Sequence, residues 1–199
     1  MIKYSRQEDR EKQIEFFSIP EYFILTPELT IKLESFSEAD KNWHFLADFV
    51  DNYITSSRKA YINNLLEASL FYSINSIEFA LKAKYCLYLY ENNKVEEAEE
   101  YLINRNSTFG ELLSDNNRLQ NLDIYDLKED LLALKDFRDG LFHFNYEKIK
   151  EGIKRFGLDF SFLEGDNTFI YYTAFIDDDL VLNIYNKCLE ILKRLFVKK

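Results

Sequence analysis

Arg138 and His143 stand five residues apart in the run RDGLFHFN, and between them they offer an anion-binding cation and a proton carrier. Arg138 occupies the place where a leucine would complete the apolar series Leu127, Leu131, Leu134 and Leu141. Two readings of it stay open. Its aliphatic stem packs while the head reaches solvent, or its planar, two-pronged guanidinium is held at a half-buried surface to grip phosphate oxygens. His143 is one of only two histidines in the chain. It is either a structural residue or a group for general acid–base work. Asp139 precedes it by four residues, shares its helix face, and can orient the ring through one nitrogen. Gly140 costs about 1 kcal/mol relative to Ala inside a helix. Something is expected to come close there: another backbone, a partner helix or a substrate. In one straight helix, a five-residue step turns about 140° and advances roughly 7.5 Å. Arg138 and His143 therefore meet only if the helix loosens before Asn145, or if a second copy supplies one of them.

Long helices must position these residues. Five Gly and two Pro in 199 residues are few for a fold of short strands and turns. A helix is expected from Ser37, whose SEAD run can cap it, to about Tyr53. The longest is expected from about Arg58 to Tyr90, with Leu66, Leu70, Ile74, Ile77, Leu81 and Tyr85 at three- and four-residue steps. The Asn92–Asn93 pair should end it. A shorter acidic helix follows over 94–105. TFGE at 108–111 and DLKE at 126–129 both have capping-box spacing, and the second should open the helix that carries Arg138. A basic helix is expected to end at Gly157. In the last helix, DDD at 177–179 supplies negative charge at the N-terminus, and Val181, Ile184, Cys188, Ile191 and Leu195 form one face. The reading is an all-α antiparallel bundle of four to five main helices. Minor extended or β segments are expected near the N-terminus, at LTIKLESF, and around 168–176, TFIYYTAFI. Residues 1–36 read as a lead-in to the same domain as the helical body, 37–199.

The motif, placed near the end of a late helix, resembles the R-x4–6-H motif of the HEPN superfamily, with Asp139 at a position the family fills with a polar residue. Glu78 and Lys82, in IEFALKAKY, resemble the E-x3-K-K/R element of some HEPN toxins, with Ala83 where a second basic residue is usual. The resemblance implies a four- or five-helix bundle acting as a metal-independent endoribonuclease, without a cofactor. It also implies a homodimer whose two motifs face each other across a shared cleft. The implied chemistry is attack by an RNA 2′-hydroxyl on the adjacent phosphate, with His143 moving a proton, Arg138 stabilising the phosphoryl oxygens and Asp139 aiming His143. Glu78, Lys82, Gly140 and Asn145 would support that site. A toxin or defence role, with an antitoxin or regulatory partner, goes with it. Other HEPN domains have lost activity and bind RNA or protein. A non-catalytic module of that kind, or a plain helical interaction protein, is the alternative.

The formal net charge of −10 excludes a general nucleic-acid coating protein, so any RNA contact must be a local patch. Lys148, Lys150, Lys154 and Arg155 follow His143 closely and either form that patch or line a solvated face with Glu147 and Glu151. Cys86 and Cys188 lie on apolar helical positions, with no CxxC or Cys/His cluster that would mark a metal site. His44 reads as structural. No apolar leader opens the chain, and the most apolar region, 65–90, is too polar to span a bilayer. A soluble cytoplasmic protein is expected.

Overall fold

The computed structural model describes residues 6–19, 42–103, 108–143, 145–155 and 176–197. Those residues form an all-helical bundle: α1 (Gln7–Gln13), α2 (Asn42–Ile62), α3 (Leu66–Glu91), α4 (Val95–Ile103), α5 (Phe109–Ser114), α6 (Asn116–Asn121), a 3₁₀ turn (Tyr125–Leu127), α7 (Lys128–His143), α8 (Tyr146–Arg155) and α9 (Asp178–Phe196). The expected strands at LTIKLESF and 168–176, the SEAD cap, the His44 side chain and Gly157 lie outside what is described, although Ile176 itself is buried.

The central element is α3, which buries thirteen of its 26 residues and therefore faces neighbours on more than one side. Helices α2 and α3 run antiparallel. Ser57 meets Ser69 and Ser73, Tyr53 meets Tyr72, and Phe49 meets Phe79, so one number falls as the other rises. The three buried serines suit a close approach of the helices. Ser57 Oγ donates to the Ser69 carbonyl at 2.9 Å and lies 2.6 Å from Ser73 Oγ, so a small polar group fills the contact without being orphaned. The break between these helices differs from expectation. Residues 54–57 are helical, and the turn falls at Asn63–Leu65, where Asn64 takes φ 61. Asparagine tolerates this left-handed geometry better than most residues, and Asn93 does the same, at φ 59, after α3.

At the other end of the chain, Asp177 caps α9 by accepting from Leu180 N at 2.9 Å. Asp178 pairs with the buried Arg10 of α1 at 2.9 Å, tying the first helix to the last. Val181, Ile184, Cys188, Ile191 and Leu195 are all buried, as their spacing requires. Cys86 is buried as well, and burial, slightly offset by the Lys82 charge, pushes its thiol up to about 12. Helices α7 and α9 are antiparallel, with Lys187 on Asp130 at 2.7 Å and Arg194 on Asp126. Thr108 caps α5 through Glu111 N at 3.2 Å, as TFGE predicts. The chain enters α7 through the 3₁₀ turn, which holds the Asp126 of DLKE, and the Asp126 carboxylate accepts from Arg194 at 2.7 Å.

Gly140 and Gly152 fix the hairpin of α7 and α8. A Cβ on Gly140 would lie 2.6 Å from Ile149 Cγ1 and 2.7 Å from Ile149 N. A Cβ on Gly152 would lie 2.8 Å from both Phe137 N and Phe137 Cβ. Each helix thus offers a glycine to a side chain of the other, and the two backbones close on each other. The body received by Gly140 is the next helix of its own chain, rather than a second chain or a substrate. Alanine would raise helix propensity by about 1 kcal/mol, but overpacking against backbone costs about 1–3 kcal/mol. Gly152→Ala should therefore lower the unfolding free energy in urea. A variant as stable as the parent would contradict this packing.

Candidate functional site

The site residues are carried by α3, α7 and the start of α8. From α3, Glu78 and Lys82 lie one turn apart, and Lys82 Nζ donates to Glu78 Oε1 at 2.7 Å. From α7, Arg138 Nη1 donates to the other Glu78 oxygen, Oε2. Arg138 also donates to Asp139 Oδ1 from Nε at 3.3 Å and from Nη2 at 3.1 Å. Its guanidinium lies 5.3 Å from the centre of the Phe109 ring of α5. These contacts use one hydrogen on each nitrogen, so each Nη carries a second. Both side chains of the interhelical pair are mostly covered, with 16% of Arg138 and 14% of Glu78 exposed. At that depth, each charge needs the other more than a surface pair would.

Asp139 continues the network. Its Oδ2 accepts from Lys135 Nζ at 2.9 Å, and Lys148 Nζ of α8 approaches to 3.8 Å. Burial acts to raise the Asp139 carboxyl, but hydrogen bonds from Lys135 and Arg138 and their charges outweigh it, holding the group below its ordinary value of 3.8. For Lys135, the downward pull of burial is outweighed by the same carboxylate and by Asp136. Among the described residues, the hydrogen bonds of Asp139 go to Lys135 and Arg138, and none aims the His143 ring. Asp139 is better described as a residue that positions Arg138.

His143 is the last residue of α7 and is exposed. Arg138 and His143 thus differ in setting, one in a covered charge network and the other at an open helix end. Asn145 has a local role. Its Oδ1 accepts from Lys148 N at 3.2 Å and caps α8, and its N–H donates to the Gly140 carbonyl at 2.9 Å, closing α7. The basic residues of α8 are mixed with acids. Lys150 approaches Glu147 at 3.8 Å, and Arg155 approaches Glu129 at 3.6 Å and Asp136 at 3.9 Å, while Lys154 is exposed.

Against the sequence, Glu78, Lys82, Arg138 and Asp139 come together, with Lys148 at the edge. Among the described residues, Arg155 reaches that cluster only through Asp136, which Lys135 also contacts at 3.5 Å. Lys135 is a member that sequence reasoning missed, though its place four residues before Asp139 is a readable signal. Phe109 under Arg138 had none, because only tertiary folding brings α5 there. Beside Arg138 lies a cavity of about 410 Å³ between α3 and α7, walled by Phe71, Tyr72, Leu141 and Phe142, with Glu67 in its lining. Among the described residues, no group of three or more His, Cys, Asp or Glu is arranged to hold a metal ion, and no helix is long and apolar enough to cross a membrane. Comparison of the chain with protein-family models, with curated proteins and with solved structures finds no match.

The depressed Asp139 carboxyl makes a pH-dependent contribution to stability. Because the folded value lies below the unfolded one, the contribution is complete above about pH 4 and is lost as pH falls through the folded value. Asp139→Asn should be less stable at neutral pH. It should also lose part of the parent's decline in urea midpoint between about pH 5 and pH 2. An identical pH profile in parent and variant would refute the assignment.

Proposed function

We propose that this protein is a metal-independent endoribonuclease of the HEPN type, acting as a homodimer in the cytoplasm, with a toxin or defence role and an antitoxin or regulatory partner. The observation that carries the reading is the Glu78–Arg138 ion pair. Two motif fragments sixty residues apart, each resembling a HEPN element on its own, meet as one cluster.

In the proposed reaction, the 2′-hydroxyl oxygen of RNA attacks the neighbouring phosphorus, and the bond to the 5′-oxygen breaks. The products are a 2′,3′-cyclic phosphate and a free 5′-hydroxyl. The 2′-hydroxyl proton must leave and the 5′-oxygen must gain one, and His143, exposed at the helix end, serves one of these transfers. Arg138 stabilises the phosphoryl oxygens through the second hydrogens on its two Nη atoms. Glu78 and Asp139 hold the guanidinium in place, and Lys135 and Lys148 add positive charge around Asp139. A partner protomer placing its own His143 against this chain's Arg138 would complete a shared cleft. A specific observation favours a second reading. Arg138 already lies between two carboxylates, which suits a non-catalytic HEPN-like module in which the network is structural.

One assay separates the two. The purified protein should cleave RNA in EDTA and leave 2′,3′-cyclic phosphate ends. His143→Ala, at an exposed position, should retain the fold and lose roughly 10²–10⁴-fold in rate. Equal background cleavage by parent and variant on diverse RNAs would rule out the nuclease and leave the binding module.

A further inference from the structure

We infer that the cavity beside Arg138 is a pocket for one unpaired nucleobase of a single-stranded RNA, holding that nucleotide's phosphate against the guanidinium. The inference rests on the nuclease reading and adds a substrate form and a subsite to it.

The first support is the lining. Phe71 and Phe142 meet edge to face at 5.0 Å, and Phe71 meets Tyr72 at 5.4 Å. The wall is therefore a set of braced rings. Its volume, about 410 Å³, falls in the range of small-ligand sites. The second support is Phe142 itself. It is 50% exposed at the last turn of α7, although Phe137, one and a half turns earlier, is fully buried. Phe142 lies outside the buried core, and a half-bare ring suits stacking by a flat base. The third is the charge pattern. The lining is apolar apart from Glu67 and Arg138, so a base can lie among the rings with its phosphate toward the one cation, Arg138.

Glu67 sharpens the chemistry. A carboxylate accepts hydrogen bonds and donates none. It suits bases that present an amino group, and it disfavours uracil, whose single N–H lies between two carbonyls. Bases in a duplex are stacked and paired, so a pocket that swallows one acts on unpaired strands. The ring series continues from Phe71 and Tyr72 to Tyr53, at 6.5 and 5.6 Å, and on to Phe79 and the half-exposed Phe49. Phe49 offers a second exposed ring to the strand.

The test uses single-stranded 2′-O-methyl oligoribonucleotides, which cannot be cleaved by 2′-hydroxyl attack, carrying one 2-aminopurine whose fluorescence falls on stacking. The full-length protein should quench it. Phe142→Ala should raise the Kd roughly tenfold, and Phe142→Trp should restore binding. A fully paired duplex should bind more weakly and be indifferent to the change. Glu67→Gln should reduce the bias against an all-uridine strand. Equal Kd values for the parent and Phe142→Ala would overturn the pocket, as would a parent that binds no single strand. A loss of affinity that only tracks dissociation of a homodimer in sedimentation would also overturn it, making Phe142 a contact between copies. The two readings fail separately. Cleavage in EDTA that ignores Phe142→Ala removes the pocket alone, whereas Phe142-dependent binding without cleavage keeps the pocket and removes the nuclease.

Discussion

Between α3 and α7, a carboxylate and a guanidinium are both largely removed from water, and each is tolerated because the other is there. The Glu78–Arg138 pair sets what the surrounding residues do. Lys82 takes the second Glu78 oxygen, Asp139 takes the rest of the inner edge of Arg138, and Lys135 closes the series on Asp139. Phe109 covers the guanidinium from α5. Removing one member leaves a covered charge without its partner, so the cluster stands or falls as a unit. In the proposed function, the same network would hold the arginine ready for a phosphate. A guanidinium braced by two carboxylates loses little further freedom on binding.

The close approach of α7 and α8 does the rest of the positioning. Glycines at 140 and 152 let the two backbones meet, and the connection between them is then short. Asn145 closes α7 and caps α8 in the same few residues. The consequence is that His143 ends a helix at the surface while Lys148 swings back toward Asp139. Phe142, one residue before His143, walls the cavity beside Arg138. The half-buried cation, the exposed imidazole and the aromatic wall follow from one tight helical hairpin packed on α3.

Much of this was legible in the sequence, and the exceptions have physical causes. Helical periodicity located α3, α7 and α9 because each buries a regular face, and Asp177 and Thr108 cap as their spacing indicates. The sequence pattern suggests too early an α2–α3 turn, because three small hydroxyl residues point inward at the helix contact and the left-handed Asn64 makes the actual break. Arg138 and Asp139 stand out as polar residues against an apolar series, yet spacing alone does not choose the partner of Asp139. Helix spacing offers it both His143 and Lys135, four residues to either side, and the covered setting favours the permanent cation. Gly140 announced a close approach but not of what. Only the fold shows that Ile149 fills the place. The cavity had no signature at all, since it is made by residues some seventy apart.

In the proposed reaction, Arg138 and His143 serve one transition state. Single-turnover RNA cleavage in EDTA by Arg138→Gln, His143→Ala and the double variant tests this most directly. Groups that serve one transition state are non-additive, so each single variant should lose most of the rate and the double variant little more than the worse single. Losses that multiply in the double variant, or a parent rate no higher than any of the three, would contradict it.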